Sequence, residues 1–157
     1  MDLYVLRHGT AIARGQWEGD DGDRPLSDEG REEMVRVAAG LAKLELGLDL
    51  IVTSPLARAL QTAEIVAEQL GIQDKMVLDE RLGAGFSANR LPKVLRTYAD
   101  AKSLMLVGHE PGLSAAVESL VGGRIILKKG GMAYVQLADV AKKGELAWLL
   151  QPRTIGI

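Results

Sequence analysis

Short apolar runs alternate with amphipathic stretches through most of the chain. Leu3-Tyr4-Val5-Leu6 is the first: four consecutive apolar residues without the alternation of a half-wet strand, as in a strand buried on both faces of a parallel sheet. Leu50-Ile51-Val52-Thr53, Met76-Val77-Leu78 and Leu104-Met105-Leu106-Val107 repeat the pattern. Helical periodicity fills the intervals. Ser27 predicts an N-cap, with Asp28 and Glu29 in a first turn where the helix dipole favours negative charge. Met34, Val37, Ala38, Leu41 and Leu44 then recur on one face, and Gly47 predicts the stop. Ser54-Pro55 predicts a second helix start, a cap followed by proline at the first helical position. Ala59, Ala63, Val66, Ala67 and Leu70 form the apolar side of that helix, and Gly71 ends it. Two more helices are predicted over about 91–101 and 112–121. Nearer the C-terminus, Ile125-Ile126-Leu127 and the segments 133–137 and 146–150 read as strands. Lys128-Lys129-Gly130-Gly131 is the expected hairpin turn between the first two.

This order predicts an α/β fold in three layers: a mostly parallel central sheet, helices flanking it, and an antiparallel edge near the C-terminus. No repeat, linker or low-complexity stretch interrupts it, so residues 1–157 are expected to form a single domain. The composition, 47% hydrophobic and 25% charged, is that of a globular protein. Nineteen basic against 21 acidic residues give a net charge of −2, which weighs against nucleic acid or an anionic membrane as partner. The absence of cysteine excludes disulfides and thiolate chemistry. Arg7-His8 interrupts the N-terminal apolar run, and no run approaches the roughly eighteen apolar residues of a membrane span. A cytoplasmic location is the expectation.

Chemistry enters at the strand ends. In open α/β sheets ligands bind at the carboxyl edge. Three runs end there in functional groups: Arg7-His8-Gly9, Ser54 with Arg58 a turn later, and Gly108-His109. Both histidines of the chain occupy such positions. Guanidiniums offer forked donors that match phosphate oxygens and stay charged. An imidazole beside a bound phosphoryl group can attack phosphorus. Nearby guanidiniums disfavour the imidazolium, which predicts a neutral, nucleophilic His8. His109 could donate to the transferring group, and Ser54 could cap the helix or touch phosphate. With charge handled by side chains, neither metal nor cofactor is expected. The Asp20-Asp21-Gly22-Asp23 stretch lacks the ligand spacing of a calcium loop and reads as a polar turn. Gly83-Ala84-Gly85 does not follow a strand and is no dinucleotide fingerprint. Trp17 reads equally as a loop anchor or a substrate contact, and Lys128-Lys129 as a charged tip able to steer a phosphorylated partner.

Four blocks, in order, resemble the histidine phosphatase superfamily with its phosphoglycerate-mutase-like fold. They are Leu6-Arg7-His8-Gly9, Arg24-Pro25-Leu26-Ser27-Asp28-Glu29-Gly30, the segment from Ser54-Pro55 through Arg58-Ala59 to Gln61-Thr62-Ala63, and Val107-Gly108-His109-Glu110-Pro111. Chain length and the Lys128–Gly131 segment are most similar to the SixA-type phosphohistidine phosphatases. The resemblance implies that His8 accepts the phosphoryl group and that Arg7, Arg58 and His109 complete the phosphate pocket. It implies a proton donor after the third strand, where Glu80 stands, with Glu110 as the second candidate. The implied activity is a metal-independent phosphatase acting on phosphohistidine in proteins. The alternatives are a phosphatase of a small phosphate ester or phosphosugar, or a weakly active phosphate-recognition module.

Overall fold

The computed structural model describes residues 1–140 and 142–156. Its sheet has six strands: β1 (Asp2–Arg7), β2 (Leu50–Thr53), β3 (Met76–Leu78), β4 (Ser103–Gly108), β5 (Met132–Gln136) and β6 (Glu145–Leu150). Their spatial order is β3-β2-β4-β1-β5-β6. The first four in that order are parallel, and β5 and β6 join antiparallel. The three-layer α/β expectation, with its antiparallel edge, is met.

The layers follow from strand alternation. On β1, Leu3 and Val5 enter one apolar cluster while Tyr4 and Leu6 enter the other. The Tyr4/Leu6 side is covered by α1 (Asp28–Ala42), α2 (Ala57–Leu70) and the short α5 (Pro152–Ile155), through residues such as Met34, Leu41, Val66 and Ile155. The Leu3/Val5 side is covered by α3 (Leu91–Thr97) and α4 (Gly112–Val121), through Leu91, Leu95, Leu113 and Val117. No described helix is long and apolar enough to cross a membrane.

Four local expectations are corrected. Ser54 does not cap α2, which begins at Ala57 after Leu56. The Ser54 amide instead continues the sheet ladder to the Val107 carbonyl (3.0 Å), so the chain is still extended there. α1 stops at Ala42, short of Gly47, in a tight turn whose amides bond the carbonyls of Gly40, Leu41 and Ala42; Leu44 is exposed. α3 ends at Thr97, where the Tyr98 hydroxyl is drawn to the Asp79 carboxylate (2.9 Å). Ile125-Ile126-Leu127 is not a strand, because β1 and β6 already occupy both sides of β5. Lys128 to Gly131 does turn, closed by the Gly131 amide on the Lys128 carbonyl (2.8 Å), but it delivers the chain to the end of β1.

Gly30, in the first turn of α1, accounts for part of the Arg24–Gly30 block. A β-carbon there would stand 1.9 Å from the Thr10 carbonyl oxygen, so only glycine lets the loop after β1 lie against the helix. We expect Gly30→Ala to lose about 1–3 kcal/mol in urea unfolding despite alanine's better helix propensity, because backbone must move to admit the methyl.

Candidate active site

Parallel pairing sets the site. Arg7 lies opposite Gly108 in the β1–β4 register, so His8 and His109 are each one residue beyond the last paired position. Thr53 lies opposite Val107, which places Ser54 at the same edge. The two imidazole rings stand 5.1 Å apart between centroids. Arg58, in the first turn of α2, is buried at 6% exposure. A cavity of about 490 Å3 opens here, with Arg7, His8, Arg24, Arg58, His109 and Glu110 on its wall. The sheet thus brings together the four residues expected to hold phosphate.

The His8 ring is oriented by its neighbour. Its Nδ1 lies 2.7 Å from the Gly9 carbonyl oxygen, which can only accept, so Nδ1 carries the proton and Nε2 keeps the lone pair. The Gly9 amide donates to Thr62 Oγ1 (3.1 Å), and that hydroxyl donates to the Arg58 carbonyl (2.7 Å). One threonine on α2 therefore ties the backbone beside His8 to the helix that carries Arg58. Gln61 does the same for the next loop, its Oε1 accepting from the Leu26 amide (2.9 Å). Burial pushes the His8 imidazolium pKa down to about 3; His109, Arg58 and Arg7 add to this, and the Gly9 hydrogen bond opposes it. His8 is neutral as expected, but desolvation rather than the guanidiniums is the main cause.

His109 Nε2 lies 2.8 Å from Ser54 Oγ, a fully buried hydroxyl that also accepts from the Leu56 amide (3.2 Å). Ser54 supports His109 from beneath and is not on the cavity wall. Burial, then Arg58, lowers His109 to about 4. Two nitrogens at the site, His109 Nδ1 and Arg7 Nε, are closed off from solvent and have no partner among the described residues; leaving such groups unsatisfied is costly. The Arg7 guanidinium is held from behind, its NH1 donating to the Leu127 carbonyl (3.0 Å).

Two participants escaped the sequence reading. Arg24 is buried on the cavity wall and donates to the Ile12 carbonyl (2.7 Å) and to Asp21 (2.9 Å). Asp21 also accepts from Arg58, through its carbonyl (2.9 Å) and carboxylate (3.3 Å), and the Arg24 hydrogen bond foremost holds its carboxyl below the usual range. The signal for Arg24 was its place in the block before Pro25; for Asp21 a polar turn gave none. Glu80 is exposed in a short turn and is not on the cavity wall, so the structure does not bring it to the others. Glu110 is on that wall, its Oε1 accepting from the Ser114 amide (3.0 Å). Among the described residues, no three histidine, aspartate or glutamate side chains converge as a metal would require.

The histidine phosphatase superfamily (branch 1) matches residues 3–84. The chain belongs to this superfamily. An uncharacterized protein of Picosynechococcus sp. is 40% identical over 139 residues, 84% of this chain and 82% of that protein. Among solved structures, the protein histidine phosphatase SixA complexed with tungstate aligns over 99% of both chains at TM-score 0.88 and 23% identity. The alpha-ribazole phosphatase of Shigella flexneri aligns over 97% of both at TM-score 0.78 and 17% identity. The fold is therefore SixA-like. In this histidine phosphatase superfamily chain, His109 lies beyond the matched span and reaches the site through β4.

With folded values of about 3 and 4 against an unfolded 6.5, both imidazoles bind fewer protons in the fold than out of it as pH falls from 6.5. Stability is therefore unaffected by them above 6.5 and declines on acidification below it. Proton NMR of the imidazoles should show neither histidine titrating between pH 8 and 5. Inorganic phosphate should raise the His109 midpoint, since a dianion favours the imidazolium.

Proposed function

We propose that the protein is a phosphatase that works through a phosphohistidine intermediate on His8, with phosphohistidine in proteins as its substrate and no metal. The observation that supports this best is the Nδ1 hydrogen bond to Gly9, which leaves His8 Nε2 as a neutral nucleophile in a cavity walled by Arg7, Arg58 and His109. In the first step Nε2 attacks phosphorus, and the bond from phosphorus to the substrate imidazole breaks. The Arg7 and Arg58 guanidiniums and the His109 ring, all on the cavity wall, are the groups that receive the phosphoryl oxygens as charge shifts among them. Glu110, on the wall, can supply the proton taken by the departing nitrogen; imidazole is a good leaving group and makes little demand on that acid. In the second step water attacks phosphorus and passes a proton to Glu110, the bond to Nε2 breaks and orthophosphate leaves, which restores both His8 and the acid.

A phosphatase of small esters is the second reading, favoured by the fold shared with the alpha-ribazole phosphatase. Acid-quenched trapping with labelled substrate should give a phosphoryl adduct that is acid-labile and alkali-stable, and absent in His8→Ala. Turnover of phosphohistidine should exceed that of a generic aryl phosphate; a strong preference for the ester would remove the protein-phosphohistidine assignment while leaving the His8 intermediate intact.

A further inference from the structure

A second cavity of about 650 Å3 abuts the first, sharing Arg7, Thr10 and Lys129 with it. Its wall adds Lys128, Arg153, Gln151 and Glu33. Four cations thus face one carboxylate, in a chain whose overall charge is −2. The concentration is local, since the acidic residues that balance it lie elsewhere.

The cations are also held in fixed relation to the nucleophile. The turn bearing Lys128 and Lys129 is closed by its own hydrogen bond, and the Gly130 amide donates to the carbonyls of Arg7 (3.0 Å) and His8 (3.2 Å). The Arg7 amide returns a bond to the Gly131 carbonyl (3.1 Å). Arg153 stands in the four-residue α5, whose Pro152 packs over Gly130. Lys128, Lys129 and Arg153 are exposed, so their charges are available to a ligand. Arg7 lines both spaces, so a protein surface that presents a phosphoryl group to the first cavity also lies over the second.

We propose that this second cavity is a subsite for a carboxylate side chain flanking the phosphohistidine of a protein substrate, an inference that rests on the phosphohistidine reading above. Lys128 and Arg153 attract that carboxylate, and Glu33 repels substrates that carry extra negative charge on its side of the cavity. The subsite selects acidic surroundings and does not take part in the chemical step.

The test uses the whole protein and phosphohistidine peptides that differ only in carrying Glu or Gln at one of the three positions on either side. For at least one position, kcat/KM should favour the Glu peptide by about tenfold at low salt, with the preference fading near roughly 0.5 M salt. Lys128→Gln combined with Arg153→Gln should bring that ratio to within about twofold of one, and charge reversal to Glu at both positions should invert it in favour of the Gln peptide. A ratio near one at every position in the unmodified protein, or a preference that survives both double variants, overturns the subsite while hydrolysis of the peptides still upholds the phosphohistidine reading. Failure to hydrolyse any of the peptides removes that reading and the subsite together.

Discussion

Parallel pairing of β1 with β4 and of β4 with β2 is the constraint on which everything else depends. Three segments far apart in sequence end at one edge only because their registers align Arg7 with Gly108 and Thr53 with Val107. A slip of one residue would exchange the two faces, turning His8 and Leu6 toward α4 and Arg7 toward α2. The apolar clusters forbid this, since Leu3 and Val5 fill one layer as fully as Tyr4 and Leu6 fill the other. Core packing and site geometry are therefore a single requirement.

The loop after β1 is held to the same standard by small groups. Gly30 lets Thr10 approach α1, Thr62 receives the Gly9 amide, and Gln61 receives the Leu26 amide. Each joins one of the blocks that carry the family resemblance to the loop between β1 and α1. The cost of leaving a buried amide unpaired, about 1–3 kcal/mol, explains why a hydroxyl and a carboxamide stand at adjacent positions in α2.

Much of this was legible in the chain. Undiluted apolar runs marked β1, β2 and β4 closely because a doubly covered strand has no polar alternation to blur its limits; β3 carries the same pattern, yet at the sheet edge its Val77 and Leu78 are exposed. The histidines stood out by position. Less legible was whatever depends on contacts distant in sequence. Ser54 followed by proline has the local signature of a cap, and only the ladder to Val107 shows that its strand continues. Ile125 to Leu127 has strand-like side chains, but both sides of β5, its expected hairpin partner, are taken by β1 and β6. Asp21 looks like one acid among three in a polar turn until Arg58 and Arg24 close on it. Glu80 follows the third strand as the resemblance requires, yet β3 lies at the sheet's far edge, away from β1.

Asp21 means that an anion entering the cup does not meet bare guanidinium. A dianion on Arg58 and Arg24 must share them with a carboxylate already bonded to both, and each negative partner weakens the hold on the other. Any anion held in the cup is therefore bound less tightly than two unshared guanidiniums would bind it.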